Sequence, residues 1–172
     1  MSAPEQQPHV LVEWAQYVAV VRGSMSDRYA RFYAPLAIGS AALAFLPLFE
    51  DVVVRDAEGN VELTTRYGTV FDMAGRPGGG PAVIGVLLLG VLVAALTYAA
   101  FRARTALVPG VIAACAGLIA LMLATKPGTG TPTPDLTDGG VAGLVLALCA
   151  AALGIAHAIP LSMLKRAAGN RL

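Results

Sequence analysis

Two long apolar runs, separated by a very short basic turn, dominate the hydropathy pattern of this chain. The runs cover residues 81–101 and 105–124, and neither contains a charged side chain. A helix of about 20 apolar residues reaches across a hydrocarbon core of about 30 Å. Arg102 and Arg104 cannot lie in lipid, so the turn that carries them is expected at a membrane face. The pattern therefore predicts a transmembrane helical hairpin.

One further apolar run on each side of this hairpin predicts two more spans. The run over residues 33–49 is short, and Pro47 indicates an early stop or a kink in its helix. The run over residues 139–161 follows Thr137 and Asp138, either of which can cap the helix. We therefore expect an all-α membrane protein with four transmembrane helices.

Residues 9–22 predict an N-terminal amphipathic helix that is too short to span a membrane. Trp14 and Tyr17 lie on its apolar surface, which suits either the membrane interface or the helices of a partner. Gly23–Ser26 then interrupts the pattern, and a group of basic and aromatic residues predicts a membrane-entry anchor. The polar stripe of the helix has i, i+4, i+7 spacing and consists of His9, Glu13 and Gln16. The anchor consists of Arg28, Tyr29, Arg31, Phe32 and Tyr33.

The polar loop over residues 50–80 predicts a small β-hairpin. Residues 51–55 and 61–66 are rich in β-formers, and the segment 57–60 between them has turn chemistry. A lone hairpin is marginally stable in water, so it must pack on its own helix ends or on another protein.

Basic residues set the expected orientation. With both termini on one side, that side holds eight of the twelve basic residues but only three of the eleven acidic ones. Basic residues favour the cytoplasmic face, so we expect cytoplasmic termini, an extracytoplasmic hairpin and a location in the plasma (inner) membrane. The predicted parts are a cytoplasmic tail with the amphipathic helix over residues 1–32, a four-helix transmembrane domain over 33–164 and a basic cytoplasmic tail over 165–172.

Composition supports this class. Of the 172 residues, 56% are hydrophobic and 13% are charged, whereas soluble domains carry about a quarter charged residues. The net charge of +1 says little about partners. We expect the bilayer and other integral membrane subunits as partners, and no nucleic acid.

Few side chains in the apolar runs could carry chemistry. His157 is expected near the inner face in an interfacial or interhelical hydrogen bond, because a proton relay would need carboxylates or further histidines in line. Cys115 and Cys149 could form a redox pair or half a metal site, but we expect them to pack as small apolar residues. The outer carboxylates are expected to be solvated loop charges, namely Glu50, Asp51, Asp135 and Asp138. We therefore predict no catalytic, cofactor-binding or metal-binding residues.

Rows of small residues at four-residue spacing are the strongest signal for interaction. Such rows let helix backbones approach closely in lipid, where the hydrophobic drive for association is absent. Two rows on the last span predict that it packs on more than one neighbour. The predicted packing residues are Ala113 and Gly117 on the third span and Gly143, Ala147, Ala151, Ala150, Gly154 and Ala158 on the fourth.

These features favour a non-catalytic accessory subunit of a larger membrane complex. A membrane enzyme acting on a lipid-linked substrate and a small oligomeric transporter are the alternatives. The Ala/Gly/Val-rich, Lys-poor layout over residues 29–164 resembles small four-span actinobacterial membrane proteins. Such proteins occur as accessory subunits of MCE-type lipid importers and of respiratory supercomplexes. The resemblance implies a lipid-transport assembly first and a respiratory one second.

The orientation predicts a labelling pattern. Cysteine introduced at Gly59 or Thr131 should react with an impermeant maleimide in intact cells, whereas cysteine at Ala103 should not. Reaction at Ala103 together with silence at Gly59 would reverse the topology.

Overall fold

A computed structural model describes residues 8–55, 58–102, 106–126 and 133–169. Helices account for most of this chain, and two short strands form its only sheet in the described ranges. In chain order the elements are α1 (Pro8–Leu43), β1 (Val52–Arg55), β2 (Val61–Thr65), α2 (Val70–Ala74), α3 (Gly80–Arg102), α4 (Leu107–Thr125) and α5 (Asp138–Gly169).

Three helices are long and apolar enough to cross a membrane. They are α3, α4 and the part of α5 over Asp138–Arg166. Their bounds lie close to those expected for the second, third and fourth spans, so three of the four predicted spans have matching helices. The turn at Ala103 and Arg104, and the labelling site Thr131, lie outside the described residues.

The first predicted span differs from the helix that is observed. α1 is one unbroken helix of 36 residues, so the predicted interruption at Gly23–Ser26 is wrong. α1 lacks an uninterrupted apolar stretch like those of the three helices, because Asp27, Arg28 and Arg31 put three charges into its last 18 residues. It also ends at Leu43 and not near residue 49.

Pro47 explains the early end of α1. It has no N–H to donate to the carbonyl of Leu43, and a residue before proline is disfavoured in the helical conformation. The chain instead closes with two tight turns, in which the N–H groups of Phe45 and Leu46 donate to Ala42 and Leu43. Phe49 then lies beyond the helix and pairs with Leu136 in an isolated β-bridge.

Four long helices form a ring in which each packs on two neighbours. α1 contacts α3 and α5, and α4 contacts α3 and α5. The ring encloses one core that draws side chains from all four helices, among them Tyr33, Leu96, Ile112 and Ala150. We call the end where α1 and α4 finish and α3 and α5 begin the hairpin end.

The predicted β-hairpin is present at the hairpin end. β1 and β2 are antiparallel, with Val52 opposite Thr65 and a register shift between Val54 and Arg55. In the described ranges the two strands contact each other but no helix. Gly59 has φ +85°, a conformation that side chains rarely adopt, so the exposed Glu58 beside it is the better labelling site.

The base of the hairpin is tied to the start of α5. The Glu50 N–H donates to the Asp135 carbonyl at 2.8 Å, and the Thr137 N–H donates to the Leu48 carbonyl at 3.2 Å. The Thr137 hydroxyl accepts from the Gly140 N–H, as expected for the N-cap of α5. Backbone hydrogen bonds therefore hold the base of the loop to the start of α5, and what the two strands themselves pack on stays a prediction.

α4 and α5 approach each other closely at Gly154. A Cβ atom at this position would lie 2.7 Å from the Pro109 carbonyl oxygen and 3.0 Å from the Ala113 nitrogen. Both are backbone atoms and cannot move aside as a flexible side chain would. The contact is the close backbone approach that small residues permit between membrane helices.

Gly154→Leu should therefore loosen the bundle itself. Overpacking a tight contact costs about 1–3 kcal/mol, and thermal unfolding of the purified protein in detergent should show the loss. Gly117→Leu is the matched control, because a Cβ at Gly117 has nothing within 4 Å. Equal stability of the two variants would contradict the packing role of Gly154.

Candidate functional site

An apolar cavity of about 340 Å³ lies inside the hairpin end of the bundle. All four long helices and α2 contribute to its walls. The residues that define its extent are Ser40 on α1, Val70 on α2, Leu92 on α3, Ile119 on α4 and Ala147 on α5. Ligand pockets in proteins typically measure about 300–1,000 Å³, so the volume suits one slender molecule.

α2 covers one side of the cavity, and its position is fixed by an N-terminal capping box. Val70 and Met73 of α2 line the cavity. The Thr69 hydroxyl accepts from the Asp72 N–H, and the Asp72 carboxylate accepts from the Thr69 N–H. Hydrogen bonds from the Thr69 side chain and backbone lower the pKa of the Asp72 carboxyl. The cap is therefore complete at neutral pH and weakens only as acid protonates Asp72.

Lys126 follows α4 directly and lines the cavity on the loop side of the bundle, which we call the mouth of the cavity. It is the only residue other than glycine with a positive φ in the described chain, at +53°. Its Nζ atom lies 2.6 Å from an Asp135 carboxylate oxygen. The Asp135 side chain is 74% exposed, so solvent screens this ion pair. Sequence reasoning treated both residues as loop charges and did not identify Lys126.

His157 forms a fully buried polar contact between α5 and α1. The Tyr33 hydroxyl lies 2.8 Å from His157 Nδ1, and both residues have no exposed surface. The Tyr29 ring stacks on the imidazole with 4.3 Å between ring centroids. The interhelical hydrogen bond expected for His157 is therefore present. Tyr33 is a core residue, not the surface anchor that the sequence suggested.

Pro160 explains why Tyr29 belongs to this cluster. A proline inside a helix has no N–H for the carbonyl four residues earlier, which here is Ala156. The Tyr29 hydroxyl donates to that carbonyl at 3.3 Å. Tyr29 and Tyr33 have i, i+4 spacing on α1, and His157 and Pro160 lie near each other on α5. This combination is the sequence signal that could have predicted the contact.

His157 Nε2 is the one buried side-chain N or O atom without a hydrogen-bond partner in the described chain. His157 does not line the cavity. Among the described residues, no group of three or more His, Cys, Asp or Glu side chains could hold a metal ion. Cys115 is buried and Cys149 is exposed, and both are free thiols.

The predicted packing residues on α4 and α5 fall into three settings. Ala150, Ala151 and Gly154 face the interior of the bundle or its partly buried margin. Gly143 and Ala147 line the cavity. Gly117 is exposed, and Ala113 and Ala158 are partly buried. Many of the small residues predicted on the fourth span therefore make contacts within the chain itself.

The N-terminal part of α1 has four exposed side chains among those that the structure describes there, namely Gln16, Tyr17, Ala19 and Val20. We call residues 8–22 of α1 the arm. Tyr17 is 60% exposed and Val20 is 70% exposed, and Gln16 of the predicted polar stripe is exposed as well. Trp14 belongs to the helix, but its side chain lies outside what the structure describes.

The spanning helices are compatible with a multi-pass membrane protein. No protein-family model, curated protein or solved structure matches this chain. The arm, the buried histidine contact and the cavity are therefore the features that bear on function.

The histidine contact predicts a measurable stability effect. His157→Ala should lower the free energy of unfolding by about 1–3 kcal/mol, because the buried Tyr33 hydroxyl loses its partner. Any activity of a parent complex should stay within a few-fold. Thermal unfolding of the purified variant in detergent measures the first effect.

A double-mutant cycle separates the hydrogen bond from general packing. His157→Phe keeps a ring against Tyr29, and Tyr33→Phe removes only the hydroxyl. The double variant should lose less stability than the sum of the two single variants. Strict additivity would show that the Tyr33–His157 contact contributes nothing.

Proposed function

We propose that this protein is a non-catalytic accessory subunit of a larger plasma-membrane assembly. It spans the membrane four times, with α1 as the first span and both termini in the cytoplasm. The observation that carries the proposal is the length of α1. Its 36 residues extend about 54 Å, whereas the hydrocarbon core is about 30 Å thick.

The excess length of α1 provides the arm, which we propose contacts other molecules. The arm is continuous with the part of α1 that packs in the bundle through Tyr29, Tyr33 and Ala37. A helix that is rigidly anchored at one end and apolar at the other can dock in a groove between a partner's helices. Trp14 and Tyr17 are the expected contact residues, because aromatic side chains dominate the energetics of such interfaces.

A lipid-transport assembly is the proposed setting. The apolar cavity supports this choice over a respiratory assembly, because a subunit that binds hydrocarbon would have a direct role in a lipid-transport complex. Small residues on the outer surface, such as Gly117, add a second surface on which a partner's helix can approach closely.

The arm can be tested by one matched pair of substitutions. Tyr17→Glu places a charge on the apolar face, and Gln16→Glu places the same charge on the neighbouring polar stripe. Affinity purification of the tagged full chain in mild detergent, followed by mass spectrometry, should recover partner membrane proteins. Tyr17→Glu should lower their recovery at least fivefold, and Gln16→Glu should leave it unchanged.

Equal recovery with both variants would exclude the arm as the docking element. The β-hairpin would then be the next candidate, because Val53 and Val61 are exposed on its strands. Recovery of this chain without any membrane partner would overturn the accessory role.

A further inference from the structure

We propose that the cavity at the hairpin end binds one hydrocarbon chain of a membrane phospholipid, with the lipid phosphate at Lys126. This inference does not depend on the accessory role or on the identity of a partner. It follows from the chemistry of the walls, the depth of the cavity and the position of a single cation at its mouth.

The walls favour hydrocarbon over a polar ligand. Apart from Ser40 and the residues at the mouth, the lining side chains are apolar. The Thr125 hydroxyl donates to the Met122 carbonyl of its own helix, at 3.1 Å. A polar ligand group placed deep in the cavity would lose its hydrogen bonds to water, and such a loss costs about 1–3 kcal/mol or more in proteins.

The cavity extends along the helices, as a lipid chain does. Leu92 lies about 18 Å along α3 from Gly80, and Ala147 lies about 14 Å along α5 from Asp138, at about 1.5 Å per residue. The hydrocarbon core is about 30 Å thick, so the cavity reaches about half of its depth. One leaflet of a bilayer has the same depth, and an acyl chain that enters beside Lys126 would end near Leu92.

Lys126 lies where the headgroup of such a lipid would lie. Lysines near the ends of membrane helices extend their ammonium groups to the interface, where lipid phosphates are found. The Lys126 side chain is 33% exposed and has three donors, one of which is used by Asp135. A phosphate oxygen can therefore join the ion pair without breaking it.

The neighbouring carboxylate indicates which headgroup fits best. The Asp135 side chain is 74% exposed and lies against the Lys126 ammonium group. A cation beside an exposed carboxylate complements a zwitterion, whose phosphate meets Lys126 and whose amine meets Asp135. Phosphatidylethanolamine should therefore bind better than phosphatidylglycerol, whose headgroup has no amine.

The test is lipid binding by the purified full chain in detergent, read by native mass spectrometry. Three probes are added separately: dioleoyl-phosphatidylethanolamine, dioleoyl-phosphatidylglycerol and dioleoylglycerol, which has no phosphate. Wild-type protein should retain one phosphatidylethanolamine per chain and bind dioleoylglycerol at least tenfold more weakly. Equal binding of these two would overturn the role of the phosphate.

Filling the cavity should abolish binding. A Cβ at Gly85 would lie 3.8 Å from both the Met122 methyl group and a Val70 methyl group, which is an ordinary contact distance. The leucine of Gly85→Leu therefore fits at its Cβ atom, and the rest of its side chain fills the cavity. Gly90→Leu is the matched control on the same helix, because a Cβ there has nothing within 4 Å. Gly85→Leu should lower the lipid-bound fraction at least tenfold, and Gly90→Leu should not.

Two further variants make the test decisive. Gly143→Leu fills the cavity from α5 and replaces Gly85→Leu if that variant does not fold. Lys126→Gln should lower phosphatidylethanolamine binding about tenfold and leave dioleoylglycerol binding unchanged. Undiminished lipid binding by a folded, filled variant would show that lipid attaches to the outer surface of the helices, and the cavity assignment would fail.

Discussion

The buried contact between α1 and α5 decides how this chain becomes a bundle. α1 has three charges near its middle and cannot join the other helices through apolar length alone. In lipid the hydrophobic effect does not draw helices together, so packing and interhelical hydrogen bonds must do so. Tyr33 and His157 supply one such bond in the core, and the Tyr29 ring and hydroxyl extend it to the carbonyl that Pro160 leaves without a donor.

Two attachments far apart along α5 fix the rest of the ring. His157 holds α1 about 28 Å along α5 from its start, at about 1.5 Å per residue, and the pairing of residues 48–50 with 135–137 holds the hairpin end. Between them, small residues have two different effects. Gly154 brings α5 onto the backbone of α4, whereas Gly143 and Ala147 leave space that no side chain of the described chain fills.

The parts of this fold that depend on local pattern could be predicted, whereas among the contacts between helices the hydrogen bond of His157 was expected and its partner Tyr33 was not. Uninterrupted apolar length predicted α3, α4 and α5, and turn chemistry predicted the hairpin. The sequence did not predict that α1 is continuous. Gly23 and Ser24 lower helix propensity only slightly, and the helix on both sides of them keeps them helical. The cavity and the role of Lys126 depend on how five elements pack together, and the spacing of residues along the chain does not indicate that packing.

α1 has a mechanical consequence because one helix contributes to two places. The arm forms its N-terminal part, and at its other end Ser40, Leu43 and the next residue, Ala44, lie in the wall of the cavity. Pro35 lies between them and removes one hydrogen bond from the helix, which makes it the natural point of bending. Tyr29 and Tyr33 hold α1 to α5 between the arm and the cavity. A bend at Pro35 would therefore let the arm tilt without moving the cavity wall, and a partner at the arm and a lipid in the cavity would bind independently of each other. Thermodynamic linkage makes this reciprocal: if the partner does not change the affinity for lipid, lipid does not change the affinity for the partner.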